Sequence, residues 1–454
     1  MPFVSLNPAT DELIREYPSW NDEQLEEALV QVAIVTPVWA NTPLKERCEH
    51  VRRLGQEVLK QRDALAKTIT LEMGKLIGEA RAEVEKCALV CDYYADNGPA
   101  FLADEMIESD AGKSFVAHQP IGTVLAVMPW NFPLWQVFRF LAPALVAGNT
   151  GVLKHASNVP QCALAIEGLV RSAGLPQGVF RTLMISAGQV AGVIEDSRIH
   201  AVTLTGSEPA GRQVAATAGA NLKKTVLELG GADPFIVLED ADLDWAAQQA
   251  VASRFLNAGQ SCIAAKRFIV IERIADEFVT KFKAGIETLK PGDPLNESTK
   301  LAPMARADLR DELHQQVQAS LDKGAIAVTG CAPIDREGAY YQASILDGVK
   351  PGMSAWAEEF FGPVAIIIRV KDEKEAVKIA NGSEFGLGGS VWTQDAKRGE
   401  KVARQVQSGA VFVNGMVKSD PRLPFGGVKN SGYGRELSRH GMLEFVNQKT
   451  IWVK

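Results

Sequence analysis

Short apolar runs alternate with alanine-rich, helix-forming stretches from about residue 120 of this chain. Strands that alternate with helices form βαβ units, in which the strands are parallel and buried on both faces. The alternation therefore predicts an α/β fold built around a largely parallel, twisted sheet. The first series of runs comprises Val124–Met128, Gly151–Leu153, Ala201–Leu204, Val226–Leu229 and Phe235–Leu238.

A second series of apolar runs follows the break formed by Gly230-Gly231 and Pro234. It predicts a second α/β domain, with a helix over Asp276–Leu289 and a domain boundary near residue 233. The chain has 454 residues, enough for two or three domains at roughly 150 residues each. The runs of this series are Phe268–Ile271, Ala365–Val370, Gly389–Trp392 and Val411–Val413.

Two further elements are predicted nearer the ends of the chain. Thr42 is a good N-cap and Pro43 favours the first position of a helix, and apolar residues then recur at helical spacing as far as Val58. Thr450–Val453 is typical of a β-strand. Because an apolar strand at a chain end aggregates unless it is covered, we expect the protein to oligomerise through this strand.

Charge and composition argue against several classes of function. The net charge is −7 and basic residues form no run of five or more, so no nucleic-acid partner is expected. The chain has no targeting pattern at its start and no apolar stretch of about 18 residues, so a cytoplasmic location without membrane association is expected. The six cysteines form no CxxC pair, and no histidines recur at metal-ligand spacing, so no metal site is predicted.

A cysteine follows a small, glycine-containing turn in the segment Asn257–Ile263. Glycine allows the backbone N–H groups of such a turn to approach a ligand closely. Cys262 is therefore a candidate nucleophile, although a lone cysteine is more often a small buried apolar residue. This segment alone leaves both interpretations open.

Two other polar residues stand where chemistry is possible. Glu228 lies inside an apolar strand that runs into Gly230-Gly231, and a buried carboxylate needs either a partner or a chemical role. Asn131 lies between two prolines at a strand end, where an amide can stabilise an oxyanion. A structural glutamate and a merely rigid loop explain these two segments equally well.

In their order and spacing, these three segments resemble the signatures of the NAD(P)-dependent aldehyde dehydrogenase superfamily. The resemblance spans essentially the whole chain and is closest to the bacterial NADP-dependent succinic-semialdehyde dehydrogenases. It implies a Rossmann-like cofactor domain (1–113 and 128–233), an α/β catalytic domain (234–428) and a small β oligomerisation domain (114–127 and 429–454) in a homodimer or homotetramer. Further matching segments are Lys154, Leu204–Ser207 with Gly211, Glu358–Val364 and Pro424–Lys429.

The resemblance implies covalent catalysis on Cys262. The thiolate attacks the aldehyde carbon, and the Asn131 amide and the Cys262 backbone N–H hold the oxyanion. Hydride transfer to the nicotinamide leaves a thioester, which water hydrolyses with Glu228 as general base. Relatives that pass the acyl group to coenzyme A tend to lack this glutamate, so a free acid is expected as the product. A cysteine hydrolase and a non-catalytic use of the fold are remote alternatives, because no histidine motif accompanies Cys262 and all three reactive residues are present.

The resemblance also predicts the cofactor. An acidic residue three positions after the strand-end lysine binds the ribose hydroxyls of NAD in many relatives and repels the 2′-phosphate of NADP. Here Ser157 occupies that position, so Ser157 and Lys154 favour NADP, with NAD as a weaker alternative. The phosphate loop Gly206–Gly211 is not a GxGxxG motif. The other predicted cofactor-binding residues are Trp130, Gly206, Ser207, Gly211, Leu229, Glu359 and Phe361.

Arg139 carries the prediction of the substrate. It lies eight residues after Asn131, at a position where succinic-semialdehyde dehydrogenases carry arginine and relatives for apolar aldehydes carry an aromatic residue. A guanidinium binds a carboxylate bidentately, although a helix-surface salt bridge also explains this arginine. Ser419 is a candidate second donor, and Phe132 and Phe425 are expected to line the site. Glutarate semialdehyde is an alternative substrate, since one methylene discriminates by only about 1–3 kcal/mol.

Overall fold

The structure is a computed structural model that describes residues 2–454. The strands, numbered in chain order, are β1 Phe3–Leu6, β2 Leu13–Tyr17, β3 Glu105–Met106, β4 Lys113–Pro120, β5 Thr123–Met128, β6 Thr150–His155, β7 Phe180–Thr182, β8 Ala201–Thr205, β9 Lys224–Glu228, β10 Pro234–Val237, β11 Arg267–Ile271, β12 Ile326–Thr329, β13 Ser344–Asp347, β14 Val364–Val370, β15 Phe385–Gly386, β16 Ser390–Trp392, β17 Phe412–Val413, β18 Val428–Lys429, β19 Gly432–Tyr433 and β20 Val446–Val453.

Helices alternate with these strands over most of the chain. They are α1 Asp22–Asn41, α2 Leu44–Lys60, α3 Arg62–Met73, α4 Ile77–Phe101, α5 Trp135–Ala147, α6 Pro160–Ser172, α7 Val190–Glu195, α8 Glu208–Ala220, α9 Leu243–Phe255, α10 Glu272–Ile286, α11 Ala307–Leu321, α12 Ser354–Ala357, α13 Glu373–Asn381, α14 Ala396–Ala403 and α15 Ser438–Leu443. Within residues 2–454, no helix combines the length and the apolar character needed to span a bilayer.

The first large sheet has the strand order β19-β9-β8-β5-β6-β7 and is parallel except for β19. Its central strands β5, β6 and β8 are apolar and almost wholly buried, as in sheets whose two faces are covered by helices. The chain runs outward from β5 to β7 and then returns to β8 on the other side of β5. The loops at the carboxyl ends of β5 and β8 therefore diverge and open a crevice, the usual ligand position in such sheets.

The second large sheet has the order β12-β13-β14-β11-β10-β16-β17 and is parallel except for β12. One face is filled by aromatic side chains, with Phe235 stacked on Trp392 at a centroid separation of 4.7 Å and tilted against Phe268 at 5.0 Å. These large rings pack against α9 and α10 and fix the sheet on which the Cys262 segment is carried.

The third sheet is small and has the order β20-β4-β3. Strand β20 pairs antiparallel with β4 along its whole length, from Val446 to Val453. The predicted terminal strand is confirmed, and it begins four residues earlier than expected, at Val446 instead of Thr450. It is an edge strand of this sheet in the single chain, with Trp452 half exposed.

The division into three domains stays a prediction, but two of its boundaries disagree with the strands. Residues 123–127 were assigned to the oligomerisation segment, yet they form most of β5, a central strand of the first large sheet. The apolar character of β5 explains this, because it is buried between two parallel neighbours. Strand β19 falls in the other segment assigned to that domain, 429–454, and pairs with β9 of the first large sheet.

The strands of both predicted series are present, with ends shifted by one or two residues. Two details of the helices were wrong. Thr42 does not cap α2, because its hydroxyl donates to the carbonyl of Val38 in the preceding helix. The helix expected over Asp276–Leu289 is α10, which begins earlier, at Glu272, and ends at Ile286.

The two large sheets face each other across the crevice. Residues that follow β5, β8 and β9 share one cavity with residues that precede β11 and β14 of the second sheet. The Gly230–Asp233 link crosses directly from the end of β9 to the start of β10. Residues that are distant in sequence therefore meet at this junction.

Candidate active site

Two cavities meet at Cys262. One, of about 310 Å³, lies along the crevice and is lined by Trp130, Gly206 and Phe361 among others. The other, of about 380 Å³, lies on the opposite side, against α4 and α5. Cys262 and Gln136 line both cavities. The thiol is thus reachable from two directions, as a nucleophile between two ligands requires.

The Cys262 loop is held in an unusual backbone conformation. Asn257 and Ala258 are buried with φ of 54° and 51°, and Gly259 follows with φ of 74°. Such left-handed residues are costly and persist where surrounding contacts fix them. The buried Lys266 ammonium supplies two of these contacts, donating to the carbonyl oxygens of Ser261 at 2.9 Å and Cys262 at 2.8 Å.

Arg254 joins this loop to the segment that contains Glu359. Its buried guanidinium donates to the carbonyls of Ala265 at 3.2 Å and Phe360 at 2.8 Å, and also to that of Gly362. Burial lowers the pKa of Arg254 to about 9, which is still above neutral pH. The guanidinium therefore stays charged and donates to the buried carbonyls. The loop is therefore rigid before any ligand binds.

The Cys262 thiol is neutral in this environment. Burial raises its pKa to about 12, against the opposing charges of Arg139 and Lys266. The thiolate is the reactive form of cysteine. The thiol therefore needs a base that takes its proton, or a nearby positive charge such as an oxidised nicotinamide ring, which would lower its pKa. Its backbone lies close to Gly231, where a Cβ atom would stand only 2.7 Å from the Cys262 carbonyl oxygen.

The Asn131 amide is fixed and faces the Cys262 loop. Its Nδ2 donates to the Gln260 carbonyl at 3.1 Å, and its Oδ1 accepts from Gln136 Nε2 at 3.0 Å. Because Gln136 donates to Asn131 Oδ1, the Nδ2 group of Asn131 faces the Cys262 loop. Nδ2 carries two hydrogens, so one remains to donate to a ligand. The backbone carbonyl of Asn131 accepts from Lys75 at 2.9 Å.

Glu228 lies at the end of β9, buried and without a hydrogen-bond partner for either carboxylate oxygen among the described residues. Burial and the nearby Glu436 carboxylate raise its pKa well above the usual range, while Arg139 and Arg435 oppose this. Gly426 has a φ of 152°, and a Cβ there would lie 2.8 Å from the Gly434 carbonyl oxygen and 2.7 Å from Glu228 Oε1, so only glycine fits beside Glu228. An unpaired buried carboxylate with a raised pKa fits a general base or acid better than a structural role.

Most of the predicted cofactor residues line the crevice cavity. Trp130 and Phe361 form part of its wall and pack edge to face at 5.8 Å. Glu359 also lines it, but its Oε1 lies 3.1 Å from Lys266 Nζ and accepts from the Gly231 N–H at 3.1 Å. The remaining predicted residues that line this cavity are Gly206, Ser207 and Leu229.

Three predicted cofactor residues lie outside this lining. Lys154 is the penultimate residue of β6 and is partly buried, which lowers the pKa of its ammonium. Ser157 is exposed in the turn that precedes α6. Gly211 is buried in α8, where a Cβ would stand 2.5 Å from the Leu229 side chain. Gly211 therefore allows α8 to pack against Leu229, and its effect on a ligand is indirect.

The start of α8 fits a pyrophosphate. The Ser207 side chain makes no capping hydrogen bond, so the N–H groups of Glu208 and Ala210 remain for an anion, while Pro209 between them has none. The carboxyl ends of β5, β6 and β8 lie beside this turn, since Val127 pairs with both Lys154 and Leu204. The residues of this crevice would hold the dinucleotide cofactor, and which of them contacts each part of it stays a prediction.

The predicted substrate residues all line the second cavity: Phe132, Arg139, Ser419 and Phe425. Arg139 is not free, because its guanidinium forms an ion pair with the buried Glu436 carboxylate. It also lies over the Phe425 ring, with 4.6 Å from its central carbon to the ring centroid, and Nη2 donates to Thr205 Oγ1 at 3.3 Å. The salt-bridge explanation of Arg139 is therefore correct in part, although the pair is buried and not at a helix surface.

Sequence reasoning missed several residues that shape the site. Lys266 and Arg254 bind backbone carbonyls, and Glu436 pairs with Arg139 across a long sequence separation. No local pattern identifies such contacts. A weak signal existed for Glu79, Glu83 and Lys86, which recur at helical spacing on one face of α4 and all line the second cavity.

The comparisons with known proteins agree with this geometry. Residues 2–451 match the model of the aldehyde dehydrogenase family. The chain is 49% identical over 453 residues, the full length of both chains, to a protein of Synechocystis sp. named probable succinate-semialdehyde dehydrogenase (NADP+). It is 48% identical to a succinate semialdehyde dehydrogenase (NAD(P)+) of Escherichia coli, over 99% of this chain and 97% of the relative.

A solved structure agrees as well. Succinic semialdehyde dehydrogenase from Streptococcus pyogenes, in complex with NADP+, superposes with a TM-score of 0.98 at 40% identity, over 99% of both chains. The expected fold, with a Rossmann-like and a catalytic α/β unit, is thereby confirmed. The family match over nearly the whole chain and the full-length identity to these relatives show that this chain belongs to the aldehyde dehydrogenase family.

Proposed function

We propose that the protein oxidises succinic semialdehyde to succinate with NADP. The observation that carries this proposal is the cavity beside Cys262, whose lining includes the cationic side chains of Lys86 and Arg139 and the Ser419 hydroxyl. A four-carbon aldehyde acid needs a nucleophile at one end and donors for a carboxylate at the other. The names of the Synechocystis and Streptococcus pyogenes relatives support the same substrate and cofactor.

Cys262 performs the first chemical step. Its thiolate adds to the aldehyde carbon, and the resulting oxyanion accepts hydrogen bonds from Asn131 Nδ2 and from the Cys262 backbone N–H. One such donor contributes roughly 3 kcal/mol to stabilising the charge in the transition state. Because Gln136 and Lys75 fix Asn131 beforehand, its amide needs little reorganisation when the charge develops.

Bound NADP supplies the acceptor for the hydride that leaves the substrate carbon. The acyl group then remains on Cys262 as a thioester, and Glu228 takes a proton from the water that attacks it. The proton of the Cys262 thiol also needs an acceptor, and the candidate is Glu228, a buried carboxylate at the end of β9 without a hydrogen-bond partner among the described residues. Hydrolysis regenerates the free thiol and releases the acid.

Lys154 and Ser157 set the preference for NADP over NAD in this proposal. Lys154 supplies positive charge at the end of β6, and the Ser157 hydroxyl donates to a 2′-phosphate. An acidic residue at position 157 would oppose that phosphate, and none is present. NAD remains the weaker alternative, in line with the NAD(P)+ in the name of the Escherichia coli relative.

An absorbance assay of reduced nicotinamide at about neutral pH tests the proposal directly. Succinic semialdehyde and butanal, which has the same carbon number without the carboxylate, are each supplied with NADP or NAD. We expect succinic semialdehyde with NADP to be turned over fastest and Cys262→Ala to be inactive. Equal turnover of butanal would contradict the substrate, and faster turnover with NAD would contradict the cofactor.

The proposal includes a homodimer or homotetramer formed through the small sheet. Strand β20 is an edge strand with Trp452 and Val453 about half exposed, at 50% and 49%. An uncovered apolar edge favours pairing with another chain. Sedimentation of the native protein and of Trp452→Lys tests this, and a monomeric native protein would exclude it.

A cytoplasmic location is also proposed. All six cysteines are free thiols, and five of them are buried. Unpaired cysteines are typical of reducing compartments. Fractionation of cells that express the protein checks this assignment.

A further inference from the structure

Lys86 lies on the face of α4 that lines the cavity beside Cys262. Its ammonium donates to Ser419 Oγ at 2.7 Å and lies 4.1 Å from the centroid of the Trp135 ring. Among residues 2–454, no carboxylate lies within ion-pairing distance of it. Lys86 is therefore a partly buried cation whose charge is not neutralised by the protein.

The other cations of the cavity differ from Lys86 in this respect. Lys75 forms a buried ion pair with Glu83, and Arg139 forms one with Glu436. Lys418 is exposed, so water screens its charge. Lys86 is the cation of this lining that is both sheltered from water and unpaired.

Ser419 completes a donor pair with Lys86. The Ser419 oxygen accepts two hydrogen bonds, from Lys86 Nζ at 2.7 Å and from Trp135 Nε1 at 3.1 Å. A hydroxyl oxygen has two lone pairs, so its hydrogen is left to donate to a third group. Ser419 lines the cavity, and an ammonium beside a hydroxyl donor suits the two oxygens of a carboxylate.

We propose that Lys86, together with Ser419, binds the carboxylate of the ω-acid aldehyde and is the main determinant of preference for acidic over uncharged substrates. This inference rests on the proposed function and adds the residue that recognises the acid. Arg139 has a different part: its Nε faces Glu436 and its Nη2 binds Thr205, which leaves Nη1 for a substrate oxygen.

The electrostatics of Lys86 are consistent with this role. Burial and the Arg139 charge lower the pKa of Lys86 to about 8, while Glu83 and Asp420 oppose the shift. At neutral pH the side chain is protonated at an energetic cost. A bound carboxylate removes that cost, so binding is favoured specifically for an anion.

Lys86→Met tests the inference because methionine keeps the unbranched apolar stem and removes the charge. The readout is the ratio of kcat/KM for succinic semialdehyde to that for butanal, with NADP. We expect the ratio to fall by about 10- to 100-fold, chiefly through KM for succinic semialdehyde. Activity on butanal is expected to change by less than about threefold, which also shows that the variant is folded.

Two further variants separate the possible explanations. Lys86→Arg keeps the charge and is expected to retain most of the preference. Lys418→Met removes an exposed charge from the same cavity and is expected to lower the ratio by less than about threefold. The role of Lys86 is overturned if Lys86→Met leaves the ratio unchanged, for example because kcat/KM falls equally for both aldehydes. It is also overturned if Lys418→Met lowers the ratio as much as Lys86→Met does. Either result leaves the proposed function standing. A native enzyme that does not prefer succinic semialdehyde to butanal overturns both.

Discussion

The guanidinium of Arg139 and the carboxylate of Glu436 form an ion pair inside the wall of the substrate cavity, where the two side chains are only 3% and 4% exposed. Backbone hydrogen bonds in both directions between Glu436 and Phe425 hold the carboxylate in place. Glu436 also acts on Glu228, since its charge raises the pKa of the proposed general base. One ion pair thus connects the wall of the proposed substrate cavity with the proposed general base.

Glu436→Gln is expected to shift the pH dependence of kcat towards lower pH. Removing the Glu436 charge lowers the pKa of Glu228, and a general base acts above its own pKa. The variant also leaves the Arg139 charge unpaired, so the free energy of unfolding should fall, by up to about 3 kcal/mol. A pH series of steady-state kcat, with single-turnover acid release, measures the first effect, and denaturant unfolding measures the second.

Glu105→Gln is a matched control for that variant. Glu105 also faces an arginine, at 3.6 Å from Arg439, but this pair is exposed. Its removal should change stability by less than about 1 kcal/mol and leave the pH profile unchanged. A profile of Glu436→Gln identical to that of the native enzyme would show that Glu436 does not act on Glu228.

Asn131→Ala is expected to lower kcat/KM by about 10²- to 10³-fold, the usual effect of removing one oxyanion donor. Because the amide acts only after the thiol has attacked, alkylation of Cys262 by iodoacetamide should continue at nearly the native rate. Gln136→Leu removes the hydrogen bond to Asn131 Oδ1 but keeps the donor, so its loss should be smaller. A larger loss in Gln136→Leu than in Asn131→Ala would exclude Asn131 as the oxyanion donor.

Ser157→Glu is expected to exchange the cofactor preference. A carboxylate at this exposed turn repels the 2′-phosphate and accepts hydrogen bonds from ribose hydroxyls, so KM for NADP should rise by about 10- to 100-fold while KM for NAD falls. Ser157→Ala removes only the hydroxyl and should have a smaller effect on NADP. If KM for NADP is unaffected by the glutamate, the 2′-phosphate does not lie at this turn.

The strands were predictable because they depend on local sequence, whereas the roles of the candidate reactive residues follow from the family resemblance and stay predictions. Strands buried on two faces are continuous apolar runs, and Cys262, Glu228 and Asn131 stand in short, distinctive segments. Lys86 carried only a weak signal, its helical spacing with Glu79 and Glu83, because a lysine on a long helix usually faces solvent. Its position in a cavity depends on how α4 packs against α5 and on Ser419, hundreds of residues away.

Gly231→Ala is expected to impair catalysis without disturbing the fold. The added Cβ would lie 2.7 Å from the Cys262 carbonyl oxygen, so the Cys262 loop must move. A displacement of about 1 Å can cost as much as about 10²-fold in rate, and a loss of at least tenfold in kcat is expected. Gly219→Ala is the control, because a Cβ there meets nothing within 4 Å and should be neutral or slightly stabilising. Equal activity of the two variants would show that the loop tolerates displacement.

The preference for the acidic substrate should decline above about pH 8. Lys86, with its pKa lowered to about 8, is charged below that pH and neutral above it, so KM for succinic semialdehyde should rise there.

Dividing kcat/KM for succinic semialdehyde by that for butanal cancels the titration of Cys262 and Glu228, which act on both aldehydes. Glu79 lines the same cavity and also titrates near neutrality, because burial raises its pKa to about 7. Lys86→Arg should therefore abolish the decline above pH 8, and Glu79→Gln should leave it in place. A decline that persists in Lys86→Arg would assign the titration to another group. The charged or titratable groups that face Lys86 are Lys75, Glu79, Glu83, Cys87, Arg139, Lys418 and Asp420.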